Sequence, residues 1–388
     1  MHTGVTTRKG LDQVRELNEH RAERAEELRY QGKKVVGYFC AYAPAELMTA
    51  AGVVPFRITG DVREPITQAD AYLETIMCPF IRSCFDMAIK GRYDFLDGLV
   101  VPHSCDTVER IYTIWQYNRR PEYSHFINVP HIIRNPASHR FFKAELGQFQ
   151  KSLERYTGTQ ISAAALREAV ALHNENRTLL RELSRLRRED PPLLTGTEML
   201  QVLIAGMTIP ADEYRGLLKD VIAEVRGRAE RPPTRAARVL VYGAELDDAS
   251  FIELIEGSGA NVVIDDLCVG TRNYWDDIAP TDDPLDGITS YYLEAIRCPR
   301  TYRDTPGSHE ADLESRYRYL MDFIDEFKVN GVISYVFRFC DTHEFDLPEV
   351  RDYLESQGVP FLHLEEDYDI AAAGRLKTRI QAFLEMIG

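Results

Sequence analysis

These 388 residues contain no CxxC pair, no GxxxxGKS or GxxxxGKT phosphate loop, and no apolar run of membrane-spanning length. The first absence leaves a zinc ribbon or a thioredoxin-type site unsupported, and the second excludes a P-loop nucleotide site. The third speaks against a membrane helix, which needs roughly 20 consecutive apolar residues. Basic charge is also short: 46 Lys and Arg against 61 Asp and Glu leave a formal net charge of −15. A general nucleic-acid binder needs a basic face, so that class is set aside, although a local basic pocket for an anion is not. The first residues, MHTGVTTRKGLDQVRELNEHRAERAEELR, lack the apolar core of a signal peptide, and the chain reads as cytoplasmic.

Cysteine is sparse, odd in number and dispersed: Cys40, Cys78, Cys84, Cys105, Cys268, Cys298 and Cys340. In a reducing compartment that pattern argues against a disulfide framework and leaves buried thiols, nucleophiles or metal ligands.

Short β-rich runs alternate with helical patterns over KVVGYF (34–39), VVPFRI (53–58), LDGLVVP (96–102) and FINVP (126–130). The alternation resumes with RVLVYG (238–243), NVVIDDLC (261–268), GVISYVF (331–337) and VPFLHLE (359–365). Runs of this kind predict parallel sheets with crossover helices. Between them the sequence carries helical periodicity and almost no strand signal. The expected fold class is α/β: two Rossmann-like lobes with parallel sheets and an intervening helical segment. The expected division is an N-terminal helical segment (1–33), a first lobe (34–137), the helical segment (138–230) and a second lobe (231–388).

One pattern occurs twice. LDGLVVPHSCDTVE ends in CDTVE (105–109), and VNGVISYVFRFCDTHE ends in CDTHE (340–344). Each cysteine follows an apolar run at the carboxyl end of an expected strand, where open α/β sheets bind ligands. The D-x-x-E spacing reads as a capping-box variant, with Asp106 and Asp341 accepting backbone N–H bonds and Glu109 and Glu344 reaching back. A cap explains the acids and leaves the cysteines unexplained. Cys78 shares the geometry, because Pro79 favours the first helical position and puts Cys78 at the N-cap. A thiol there meets a helix dipole that favours thiolate, the metal-binding form. Cys84, six residues on, points elsewhere and is expected in the core. Any one cysteine is more often a buried small hydrophobe than a ligand. Three at equivalent elbows suit an iron–sulfur cluster with one open iron or a zinc with an open position. Periodicity does not choose between them.

The runs GYFCAYAPAELMTAAGVVPFRI (37–58), MCPFIRSC (77–84), LDGLVVPHSCD (96–106) and FRFCDTHEFDLPEVRDYLESQGVPFLHLEEDY (337–368) resemble the 2-hydroxyacyl-CoA dehydratase D-component/benzoyl-CoA reductase family. The CAYAPAELMTAAG form and the length are most similar to a non-ATPase subunit of an ATP-dependent benzoyl-CoA reductase. The resemblance implies a [4Fe–4S] cluster held by Cys78, Cys105 and Cys340, or a double-cubane cluster on the same kind of ligand set. Cys40 then lines the site without ligating, and Cys268 and Cys298 are expected in the core. Also implied are a homologous second cluster subunit, a separate ATP-hydrolysing electron activator, and an aryl- or 2-hydroxyacyl-CoA ester as substrate. The reaction is dearomatising reduction of benzoyl-CoA, or dehydration of a 2-hydroxyacyl-CoA through a ketyl radical. A double-cubane reductase or electron relay that binds no CoA ester is the alternative of a different class. His103 and His343 flank the two elbows as candidate proton donors, and Glu46 is a further catalytic candidate, with a helix-surface role set against it. Arg57, Arg82, Arg272, Arg297, Arg300 and Arg303 are the cations available for CoA phosphates.

Overall fold

In the computed structural model, which describes residues 9–303, 307–371 and 373–388, eight strands form two four-stranded sheets. The first contains β1 (Lys34–Tyr38), β2 (Val53–Arg57), β3 (Gly98–Pro102) and β4 (Tyr123–Ile127), in the order β2-β1-β3-β4. The second contains β5 (Ala237–Gly243), β6 (Ala260–Asp266), β7 (Gly331–Phe337) and β8 (Phe361–Glu366), in the order β6-β5-β7-β8. Every pairing is parallel. Parallel sheets are covered by helices on both faces, and that is why β3, β5, β6 and β7 are buried along their whole length and have largely apolar centres.

β4 begins three residues earlier than the run FINVP suggests. It is an edge strand in which Ser124, His125 and Phe126 are only half-buried, so its apolar signal is diluted and the search for a run slides towards Val129. The N-terminal stretch is two helices, Gly10–Glu19 and Arg21–Tyr30. The expected helical stretch holds Pro136–Thr157, Ala163–Arg185, Gly196–Gly206 and Ala211–Gly227.

One hydrophobic cluster contains Leu99 and Val101 from the first sheet together with Val239, Val241 and Ile333 from the second. Burying each such side chain contributes about 1.5–3 kcal/mol, so the two sheets share a core. Polar bonds join the same region: Arg57 Nη2 meets Glu245 Oε2 at 2.6 Å, and the Gly60 amide donates to Asp247 Oδ2 at 3.0 Å.

In each sheet the strand order reverses between the two central strands, β1 and β3 in the first and β5 and β7 in the second. Such a reversal leaves a crevice at the carboxyl ends of the two strands, because their connections leave in opposite directions. The fold therefore has two crevices, and their positions decide where the site lies.

Candidate functional site

Both crevices open on one cavity of about 100 Å³. Its walls include Cys40 past β1, Cys105 past β3, Glu245 past β5 and Cys340 past β7, and Cys78 completes the set. Each of the three elbow thiols sits at the N-cap of a helix: Cys78 before Pro79–Ile89, Cys105 before Asp106–Arg119, and Cys340 before Asp341–Ser356. The local sequence explains each elbow. Pro79 occupies the first helical position with its φ already set. Pro102 ends β3, and Cys105 is extended at φ −153° before the helix begins. After β7 the chain turns at Phe339, a non-glycine with φ 62°, and Cys40 holds the same left-handed conformation at φ 60° two residues past β1. Left-handed backbone at a residue other than glycine costs of order 1–3 kcal/mol. Both instances line the thiol cavity.

The expected capping boxes do not form. Asp106 and Asp341 are the first residues inside their helices, and neither N-cap position has a side-chain cap bond. Glu344 does reach back, accepting from the Phe339 amide at 3.1 Å, while Glu109 pairs with His103 Nε2 at 3.1 Å. With the cysteine in the cap position, first-turn amides lie near the sulfur without forming a cap bond. The amides of Ile81 and Phe80 face Cys78, those of Val108 and Thr107 face Cys105, and that of His343 faces Cys340.

Those amides do not make the free thiols acidic. Burial pushes Cys78 up to about 11 and Cys105 up to about 12, and it raises Cys340 well above the ordinary thiol range. The thiols also raise one another, as Cys78 and Cys105 do Cys340. The expected preference for thiolate is thus overturned: in an apolar pocket the cost of desolvating a charge exceeds the pull of one helix dipole. A bound cation removes that cost, and binding would release the protons.

Cys268 and Cys298 also line the cavity and are only half-buried, which corrects the expectation that they lie in the core. Six of the seven cysteines thus face one space, and Cys84 alone is fully buried in the core. Cys268 lies two residues past β6, a strand-end position like the others. No helix begins immediately after it, so nothing in the local sequence marks it as an elbow.

His343 is 2% exposed and lies against the thiols, with Nδ1 3.4 Å from Cys340 Sγ. Burial and the neighbouring Arg272 charge hold its ring neutral, far below the ordinary histidine range. His103 does not line the cavity. It turns to Glu109 and packs edge-on against His131 at 5.1 Å. Ligand atoms of His103, Asp106 and Glu109 lie within 4.8 Å of one another. Among the described residues this is the one such group of three, so the three elbow sulfurs do not all lie within that distance of one another. Glu46 is fully buried, which rules out the helix-surface role, and it lines a different cavity of about 130 Å³. There it pairs with Arg177 and accepts from the Tyr292 hydroxyl at 2.8 Å. Although burial opposes its charge, Arg177 and His173 hold the carboxyl at about 2.

The six arginines are engaged by the protein itself. Arg57 pairs with Glu245, Arg272 with Asp266 and Arg82 with Asp70. Arg300 and Arg303 donate to backbone carbonyls, and Arg297 lies over the Tyr319 ring. Arg57 and Arg272 approach the thiols, Arg57 at the cavity wall and Arg272 with Nη1 3.6 Å from Cys268 Sγ.

The sequence matches the family described as 2-hydroxyglutaryl-CoA dehydratase, D-component, over residues 40–387. The chain belongs to this family. Among relatives in the D-component family, a benzoyl-CoA reductase subunit of Thauera aromatica is 28% identical over 335 residues, 85% of this chain and 84% of that one. The lactoyl-CoA dehydratase beta subunit of Anaerotignum propionicum is 26% identical over 359 residues, 92% of both chains. The (R)-phenyllactyl-CoA dehydratase beta subunit of Clostridium sporogenes is 24% identical over 358 residues, again 92% of both. Each is named as a subunit, and each name carries a CoA ester. The D-component match takes in every strand except β1, and it includes all the cysteines. No helix among the described residues is long and apolar enough to cross a membrane.

Proposed function

We propose that this chain is the cytoplasmic, cluster-bearing subunit of a low-potential enzyme acting on CoA esters, with Cys78, Cys105 and Cys340 as the protein ligands of a [4Fe–4S] cluster. One observation carries the reading: thiols from the crevices of both sheets, each at a helix N-cap, converge on one cavity. The donor set fits the group, since soft sulfur ligands with amide donors around them are what iron–sulfur sites use. When bound, such a cluster supplies single electrons at low potential. The chain's own residues would surround it with first-turn amides and tie the two sheets together beside it through Arg57–Glu245.

The chain would work with a homologous second cluster subunit and an ATP-hydrolysing activator. The substrate reading we carry forward is benzoyl-CoA, reduced at the ring, supported by the 28% identity to a benzoyl-CoA reductase subunit. Dehydration of a 2-hydroxyacyl-CoA is the second reading, supported by dehydratase subunits at 24% and 26% identity and by a putative dehydratase subunit of Escherichia coli at 29%.

The first test is iron and acid-labile sulfide per chain after strictly anaerobic purification, for wild type and Cys340→Ala. The expected result is about four irons in wild type and their loss in the variant. About twice that content would move the reading to a double-cubane cluster. Iron-free wild type would overturn the redox reading. With partners and ATP added, turnover of benzoyl-CoA against a 2-hydroxyacyl-CoA then separates the two reactions.

A further inference from the structure

A buried chain of polar groups runs from the helix His309–Phe327 to the Cys340 sulfur. The Tyr319 hydroxyl donates to Asp266 Oδ2 at 2.8 Å. Asp266, 1% exposed, grips Arg272 with both oxygens, Oδ1 to Nε and Oδ2 to Nη2, each at 3.0 Å. The remaining guanidinium nitrogen, Nη1, donates to the Gly243 carbonyl at 2.9 Å and lies 3.0 Å from His343 Nε2. Asp266, Gly243 and Arg272 all come from the β5–β6 end of the second sheet, whereas His343 is in the first turn of the helix that Cys340 caps.

This geometry bears on where the imidazole proton sits. A guanidinium carries hydrogens on every nitrogen and has no acceptor site. The Gly243 carbonyl also faces the ring, but it already accepts from Nη1 at 2.9 Å, and Nη1 lies 3.0 Å from Nε2; we therefore take Nε2 as the accepting nitrogen, which leaves the one ring proton of a neutral histidine on Nδ1. Nδ1 has two neighbours, Cys340 Sγ at 3.4 Å and Thr342 Oγ1 at 3.4 Å. The sulfur distance is within hydrogen-bond range.

We infer that His343 is a positioning residue, held by the Tyr319–Asp266–Arg272 chain so that its Nδ1–H donates to the Cys340 sulfur and sets how readily electrons enter the site. The inference rests on the cluster reading above and assigns His343 a role other than proton delivery. A donor aimed at a ligand sulfur stabilises the more negative, reduced form, so hydrogen bonding at sulfur raises a cluster's potential. The role needs no change in the ring's protonation. It also accounts for the expense of burying the Arg272–Asp266 pair, which serves as a rigid mount for one imidazole.

Two measurements test this in the full-length chain. The first is a reductive titration of anaerobically purified wild type, His343→Leu and His343→Asn, with iron content recorded for each. Asparagine can place an amide N–H near the Nδ1 position, and leucine cannot. With iron retained throughout, the leucine variant is expected to show about tenfold less reduced cluster at a fixed potential, about 59 mV lower for a one-electron couple. The asparagine variant should stay close to wild type. Equal potentials in wild type and the leucine variant would overturn the inference and leave the cluster reading standing. Iron-free wild type would remove the cluster reading and this inference with it.

The second measurement needs no substitution to fold. In the full chain before cluster loading, the nitrogen chemical shifts of isotopically labelled His343 report which ring nitrogen is protonated. A proton on Nδ1 is expected, and a proton on Nε2 would overturn the inference whatever the variants do.

Discussion

At the scale of single residues, the chain separates two kinds of buried ionisable group. Glu46 and Arg177 form a pair inside the cavity next to the thiol site, where Tyr292 satisfies the second carboxylate oxygen. Removing one partner of such a pair leaves the other charge buried and alone, which costs about 3–5 kcal/mol. Glu46→Ala is therefore expected to lower unfolding free energy by that order in a urea titration while iron content per folded chain stays at the wild-type value. A large loss of iron with unchanged stability would return Glu46 to the site chemistry. The pH dependence has a definite sign. Because the folded carboxyl is held near 2, its contribution is present above the unfolded value of about 4.3 and is lost as pH falls from there towards 2. His343 belongs to the other kind, a neutral group whose use depends on which nitrogen holds the proton.

At the scale of elements, the elbows depend on how closely β5 and β7 approach. Gly243 ends β5 opposite Tyr335, and a Cβ there would fall well inside contact distance of the Tyr335 carbonyl oxygen. That oxygen is backbone in a central strand and has no room to give way. Gly243→Ala should cost at least about 1–3 kcal/mol through overpacking. It should also disturb the carbonyl that receives Arg272 Nη1. Thermal unfolding of the variant measures the first effect. A wild-type melting temperature would show that the second sheet can shift, contrary to the packing described here. Strand identity at this scale is well marked in sequence wherever both faces are covered: β7 falls on the expected residues, and β1, β2 and β5 differ by one residue at one end. β4 and the capping boxes are not, because an edge strand dilutes its own pattern and a cap position can be taken by a cysteine as well as by an acid.

At the scale of the whole molecule, the loops after β2 and β5 hold the two sheets together. Asp247 accepts from the Gly60 amide at 3.0 Å and from the Tyr368 hydroxyl at 2.8 Å. Burial and the nearby Glu245 push its carboxyl up to about 7. Between about pH 4, where an unfolded aspartate ionises, and pH 7, the folded chain keeps a proton that the unfolded chain has released. Stability contributed by this group is thus full below about pH 4, declines as pH rises through the window and is level above it. Unfolding midpoints measured across that window should show the decline in wild type, and Asp247→Asn should flatten it. An unchanged slope in the variant would mean that Asp247 ionises normally and the clamp between the sheets lies elsewhere.

The sequence by itself determined the alternation of strands and helices, the parallel sheets that follow from it, and the three cysteines that stand at strand-to-helix elbows. Those features are written in local periodicity and in single turn residues such as Pro79, so neighbours along the chain suffice to state them. Only the tertiary structure decided that both crevices open on one cavity, that Cys268 and Cys298 join it, and that Glu46 and His103 do not. It alone placed Arg272 against His343 across 71 residues of chain. Contacts between residues so far apart are fixed by how the two sheets share a core, and no local pattern in the chain records that packing.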